Sequence, residues 1–287
     1  MKLIRYQDIT QFYNRVLPFL LKHEAEHNLL LGIIIDSVKN NIDNPLRQKL
    51  DMLCVVEDNE IIFVAINSIQ YNLLLSLTDK LEAVSLLADY LYNENISGVT
   101  GTKAVVETFI NSLCKNNDYH LKRHLHIYQL EKDNFVEARK IPGKYVKANE
   151  ADKNLLIKWF ADFYNNPGIN IKYIENEVNE CINESIKSHS KGIRLWCDDT
   201  GNPVSFARFS SPTINGIRIG PVYTPPEYRG QGFANACVSA LSKELLEKYL
   251  LIFLFAECDN LASNHIYQKI GYQIVCDVYE YTKNNSN

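Results

Sequence analysis

The run Leu250–Ala256, LLIFLFA, is apolar at every position. A strand with one face in water alternates apolar and polar side chains, so a strand that does not alternate has both faces covered. A β-rich run, GIRIGPVYT (216–224), lies upstream, and a helical pattern at about 230–248 lies between the two. Strand, helix and strand in that order predict a parallel crossover, right-handed by default. The expected class is therefore α/β, a mixed sheet with helices on its faces.

The rest of the chain fits that frame. Apolar residues at helical spacing mark segments at 7–22, where Phe12, Val16 and Leu20 repeat, and at 24–38. The stretch LDMLCVVEDNEIIFVAINSI (50–69) reads as a hairpin about a Glu57-Asp58-Asn59 turn, with YNLLLSL as a third strand. A helix at 80–93, the short SGVTG segment, a helix at 103–116 and a strand at 119–131 follow. The polar KDNFVEARKIPGK (132–144) holds a Pro-Gly pair and sets an expected boundary, with domains at 1–135 and 144–287. Beyond it the order returns: strand KYVKA, helices at 151–164 and 175–189, three strands at 192–199, 203–209 and 216–224, a helix, LLIFLFA, a helix at 261–270 and a strand at 272–282. The two halves read as a diverged internal repeat.

Charge and cysteine content narrow the function. A net charge of -4 speaks against a protein that binds nucleic acid through a basic face. Seven cysteines without a C-x-x-C pair do not form a disulfide framework. No apolar run reaches 18 residues, and charged and polar residues are spread through the first 22, so the expectation is a soluble, reduced, cytoplasmic protein without a membrane partner.

The chemistry is concentrated in PPEYRGQGFANACVSAL (225–241). Arg229, Gly232 and Ala234 fit R-x-x-G-x-[GA], and the pattern predicts a helix that begins within it. A glycine inside a helix costs about 1 kcal/mol relative to alanine, so two of them at a helix start need a reason. Close approach of an anion is one: a helix start presents unpaired N–H groups and the positive end of the helix dipole. No G-K-[ST] is present, which excludes a P-loop. A dinucleotide fingerprint would meet Asn235 at its third small position.

A second segment, AECDNLASNHIYQKIGY (256–272), follows the apolar strand. Taken with the first, it resembles the GNAT superfamily of acyl-CoA N-acetyltransferases: an Asn after the strand (Asn260), a Tyr seven residues on (Tyr267) and a Gly-aromatic pair (Gly271, Tyr272). The strings VYTPPEYRGQGFA and NLASNHIYQKIGY look like a bacterial branch of predicted acetyltransferases with this two-part layout, which often has Asp where Glu257 stands here. The resemblance implies a GNAT-like fold, tandem with a degenerate N-terminal copy. It also implies acetyl-CoA as donor and a small-molecule or peptide amine as acceptor. Implied donor-binding positions are Val222, Tyr223 and Thr224 on the strand, Arg229, Gly230, Gln231, Gly232, Phe233 and Ala234 at the helix start, and Asn260, Ser263, Asn264 and Tyr267 beyond. Tyr267 stands where the family has its acid, and Glu227, Glu257 and Asp162 are the candidate bases. The loop YNNPGIN (164–170) is implied to border the acceptor. The competing reading is a module that binds acyl-CoA without turnover.

Two histidine motifs stand apart. HEAEH (23–27) fits the zinc-peptidase pattern H-E-x-x-H but is flanked by a polar stretch at a helix end. HLKRHLH (120–126) places His120, His124 and His126 on one side of a strand, read as a solvated face. The reading assigns no metal. In the N-terminal half, LSLTDKLEAV (75–84) lacks glycine and sets Asp79 near a helix start, which repels pyrophosphate.

Overall fold

The computed structural model describes residues 1–39, 50–68, 71–113, 118–164, 171–187 and 190–284. The first run of elements is β1 (Lys2–Tyr6), α1 (Ile9–Leu20), α2 (Asn28–Lys39), β2 (Asp51–Glu57), β3 (Glu60–Ser68), β4 (Tyr71–Leu75), α3 (Leu81–Tyr90), β5 (Gly98–Gly101), α4 (Lys103–Ser112) and β6 (Tyr119–Glu131). The second repeats it: β7 (Lys144–Lys147), α5 (Lys153–Tyr164), α6 (Ile171–Lys187), β8 (Gly192–Cys197), β9 (Pro203–Ser210), β10 (Gly216–Tyr223), α7 (Phe233–Leu245), β11 (Leu251–Glu257), α8 (Leu261–Ile270) and β12 (Gln273–Lys283). The predicted repeat is present, with a leading strand in each run. In the first run that strand, β1, precedes the helical segment at 7–22 and has no counterpart in the sequence reading. It pairs antiparallel with β2, Lys2 opposite Val56.

The chain divides into two compact units. One holds Met1–Ile127, Ala256–Asp259 and Ile274–Asn287, the other Tyr128–Phe255 and Asn260–Gln273. A single cut at 132–144 thus separates the two runs of elements but not the two units. The reason is strand pairing: β12, last in the second run, lies antiparallel to β5, with Tyr279 opposite Gly101 and Tyr281 opposite Val99.

In the first unit β2, β3 and β4 form an antiparallel meander and β4 runs parallel to β5. The residues of β2 alternate between two cores. Leu53 and Val55 join Phe63, Leu73 and Phe109 beside α3 and α4. Met52, Cys54 and Val56 join Phe12, Val16, Leu31 and Ile34 beside α1 and α2. Both faces are covered, which is why the run LDMLCVV shows no polar alternation. The hairpin turn has Asp58 and Asn59 at φ 48 and 65, where Asn and Asp are the side-chain residues best tolerated.

In the second unit β7, β8, β9 and β10 pair antiparallel in sequence order, and β10 runs parallel to β11 with Gly216–Arg218 beside Leu251–Phe253. The predicted crossover is therefore present. Trp159 and Phe160 of α5 stack on Phe206, in a core with Ile174, Val178 and Leu195. A buried cation sits in this unit: the Arg194 side chain, 1% exposed, is held by both oxygens of Glu244 from α7, and the Tyr145 hydroxyl donates to the same carboxylate at 2.6 Å. Burial pushes the Glu244 carboxyl up, but the bonds from Arg194 and Tyr145 outweigh it and hold the group below its usual range. Among the described residues no helix is long and apolar enough to cross a membrane.

Removing one partner of a buried pair strands the other charge, a loss of about 3–5 kcal/mol. Glu244→Ala is expected to lose that much in urea unfolding, and Arg194→Met with Glu244→Leu to recover most of it. Because the native carboxyl titrates below its unfolded value, the pair's contribution is present above the unfolded pKa and is lost as pH falls through the native one.

Candidate functional site

The segment singled out for its glycines does not begin a helix at once. Pro226–Tyr228 make a single 3-10 turn, Arg229 to Gly232 form a loop, and α7 starts at Phe233. Gly230 and Gly232 therefore lie outside the helix, at φ 77 and 87, in left-handed backbone that any other L residue adopts at a cost. That is the first reason for the glycines. The second is the space beside them: a Cβ on Gly230 would meet no protein atom within 4 Å, and one on Gly232 would touch only Ile141, at 3.9 Å.

Gly232 is the cap residue of α7 and supplies no side chain to its first turn. The starts of α3 and α4 are likewise without a capping side chain, whereas α1 and α8 have one. Asp8 accepts from Gln11 N at the start of α1, and Asn260 accepts from Ser263 N at the start of α8. The start of α7, a 13-residue helix, thus keeps N–H groups with no capping oxygen, at the positive end of its dipole. Asn235, in that first turn, has a buried Oδ1 with no hydrogen-bond partner.

The loop is braced against the end of β10. Arg229 Nε donates to the Thr224 carbonyl at 3.0 Å, and the guanidinium lies over the Tyr223 ring. The Thr224 hydroxyl meets Ser205 Oγ at 2.8 Å, and Gln231 Nε2 reaches the Glu227 carbonyl at 3.4 Å. Tyr228 and Phe233 meet edge to face. The β10–β11 register ends at Arg218 and Phe253, whereas β10 continues to Tyr223, with a shift against β9 between Ile219 and Val222. The stretch carrying Val222 and Tyr223 is thus paired with β9 but not with β11. Burial raises the Tyr223 hydroxyl, and the carboxylates of Asp162 and Glu227 add to the rise while Arg229 opposes it. Two of the three candidate bases therefore act on the end of β10.

The third does not. Glu257 falls in the other compact unit, where its carboxylate pairs with Arg123 Nε at 2.6 Å. The residues of α8 are engaged internally. Asn260 is spent as the helix cap, and Asn264 accepts from the Tyr128 hydroxyl at 3.0 Å. Tyr267 is 7% exposed, edge-on to Tyr128 and Tyr272. Burial pushes its hydroxyl up to about 12, against the hydrogen bond of Ser263. The Gly-aromatic pair has a packing cause: a Cβ on Gly271 would stand 1.8 Å from the Asn134 carbonyl oxygen, and the Tyr272 hydroxyl meets Ser242 Oγ at 2.8 Å. Of YNNPGIN only Tyr164 lies among the described residues.

In HEAEH the first histidine, His23, is exposed, whereas Glu24, Ala25 and His27 are buried. His27 is 1% exposed; its Nδ1 bonds the Leu20 carbonyl at 2.9 Å and its Nε2 accepts from Leu77 N at 2.9 Å. Both ring nitrogens are used, and burial lowers its pKa. In the first unit α3, the counterpart of α7, starts after Lys80 and carries Glu82 in its first turn, so the acidic character expected there is present.

The FR47-like protein family model matches residues 213–281. Solved structures match over nearly the whole chain. A GCN5-related N-acetyltransferase from Sphaerobacter thermophilus is 13% identical, with a TM-score of 0.64 over 98% of this chain and 95% of that one. An acetyltransferase of the GNAT family from Colwellia psychrerythraea is 13% identical, TM-score 0.59, over 99% and 100%. A tandem GNAT protein from the clavulanic acid biosynthesis pathway is 10% identical, TM-score 0.59, over 100% and 99%. The search of curated proteins finds no match. The fold is that of these GNAT structures, with the order of elements repeated in tandem.

His27→Ala leaves the Leu77 N–H and the Leu20 carbonyl without partners, and is expected to cost about 1–3 kcal/mol in chemical denaturation. Since the native His27 pKa lies below the unfolded value, its contribution falls as pH drops below the unfolded pKa; a stability slope near that pH that is unchanged in the variant contradicts this.

Proposed function

We propose that the second run of elements transfers an acetyl group from acetyl-CoA to a primary amine by direct attack within a ternary complex. The observation that carries the reading is the start of α7: a long helix with no capping side chain, behind two left-handed glycines with open space beside them. Backbone N–H groups at such a start bind a phosphate or pyrophosphate. Arg229 fixes the loop to the end of β10 and keeps positive charge beside it. The end of β10, paired with β9 but not with β11, offers the main-chain groups of its free edge to an extended arm of the donor.

In the reaction the amine nitrogen bonds to the thioester carbon and the C–S bond breaks. The amine gives up a proton and the sulfur leaves as thiolate, to be protonated. Asp162 and Glu227, both acting on the end of β10, are the carboxylates that support proton removal. Tyr267 stays a neutral phenol at ordinary pH. With its pKa near 12, full proton transfer to a thiolate of reference pKa ~8.5 is uphill by roughly 5 kcal/mol. Its role in this reading is to donate a hydrogen bond to the departing sulfur.

Saturating acetyl-CoA, at ~1,000 times its dissociation constant, is expected to add about 4 kcal/mol to stability in the wild type and nothing in a folded Gly232→Glu variant. No shift in the wild type contradicts donor binding. Tyr267→Phe is expected to lower kcat about 100-fold with the acetyl-CoA stabilisation retained. An unchanged kcat removes Tyr267 from the chemistry, and a wild type that binds acetyl-CoA but acetylates no amine in a broad panel supports a binding module.

A further inference from the structure

The first unit contains a second cluster of reactive side chains, none of which belongs to the site above. His124 and His126 lie two residues apart on β6 and so point to one face of it. Asp277 comes from β12, the neighbour of β6 in the sheet. One oxygen of its carboxylate is 2.8 Å from His124 Nε2, and the other is 2.7 Å from His126 Nδ1. Cys258 comes from the turn after β11; its Sγ is 3.5 Å from His126 Nδ1, and its N–H donates to the His124 carbonyl at 2.9 Å. The donor atoms of His124, Cys258 and Asp277 all lie within 4.8 Å of one another.

We infer that His124, Asp277 and Cys258, whose donor atoms lie within 4.8 Å of one another, bind a single zinc ion, and that His126, beside Asp277 and Cys258, closes on it as the fourth ligand. Imidazole, carboxylate and thiolate in one cluster of four make a tetrahedral zinc donor set, whereas calcium and magnesium call for oxygen ligands. The spacing suits such an ion. Bonds of about 2.0–2.1 Å to nitrogen or oxygen and about 2.3 Å to sulfur put neighbouring tetrahedral donors about 3.3–3.6 Å apart. The His126–Cys258 pair is already at 3.5 Å, and the two His–Asp separations need to open by about half an ångström.

The surroundings hold the donors in place. The His124 ring stacks on Tyr279, centroids 4.2 Å apart and planes at 20°, and Tyr279 is two residues beyond Asp277 on the same strand. The Cys258 turn is tied to β6 through its own backbone. Burial, with Asp277, Glu257 and Asp259 nearby, pushes the Cys258 thiol up to about 11, so without a dication the sulfur carries its proton. Zinc would displace the protons between the histidines and the carboxylate, and the proton of the thiol, and would tie three segments together that are distant in sequence. This differs from the solvated face expected of HLKRHLH. His120, the third histidine, bonds Asn284 and is not part of the cluster.

Cobalt(II) titration of the full-length, reduced, chelator-treated protein tests the inference. One equivalent per chain is expected, with the intense visible bands of a tetrahedral site and a sulfur-to-cobalt charge-transfer band, all displaced by zinc. Cys258→Ser is expected to abolish the charge-transfer band, and Asp277→Asn to weaken cobalt affinity at least tenfold. Cys276→Ser, which leaves the cluster untouched, keeps the band. Absence of the band in the wild type with excess cobalt overturns the site, as does a band that survives Cys258→Ser in a variant whose circular dichroism matches the wild type.

Discussion

The start of α7 carries backbone N–H groups that the chain does not cap, and the account of this protein depends on them. Gly232 puts the backbone in a left-handed turn there and brings no side chain to the helix end. The parallel crossover decides where that end lies. A helix that leaves the carboxyl end of β10 and leads into a parallel β11 has its positive pole at the carboxyl edge of those strands, the edge where open α/β sheets bind ligands. Apolar β11 is the reason the crossover forms, because a strand with no polar face needs neighbours and cover on both sides.

The same order of elements in the first unit gives different electrostatics. Its parallel pair, β4 and β5, flanks α3, which begins without glycine and sets Glu82 in the first turn. A carboxylate at a helix start complements the dipole but repels a second anion. One fold thus carries two helix starts of opposite suitability for a pyrophosphate, and the difference comes from a few residues rather than from topology.

Much of this was legible in the sequence because it is local. Helical spacing, the strand runs and the order of both halves depend on short stretches, and β6 spans the 119–131 read from pattern alone. Misreadings came where a residue's conformation is set at a distance. The helix start was placed at 230, but φ at Gly230 and Gly232 ends the loop three residues later. Gly271 matched a motif, yet its need for hydrogen in place of a side chain comes from the Asn134 carbonyl, more than a hundred residues earlier. HEAEH reads as a polar stretch at a helix end, yet His27 is a core residue bonded to Leu20 and Leu77. The cluster of His124, His126, Cys258 and Asp277 was invisible for the same reason: only the histidines share a motif, and strand pairing supplies the other two.

The central claim, that the start of α7 is where the donor's pyrophosphate sits, is tested most directly by amide-resolved NMR during titration with coenzyme A. The account predicts that the largest, saturable shifts fall on the N–H groups of Gly230, Gly232, Phe233 and Ala234, and that the start of α3 around Glu82 does not respond. Shifts that gather at α3, or a saturating titration that leaves the Gly230–Ala234 amides unmoved, would contradict it.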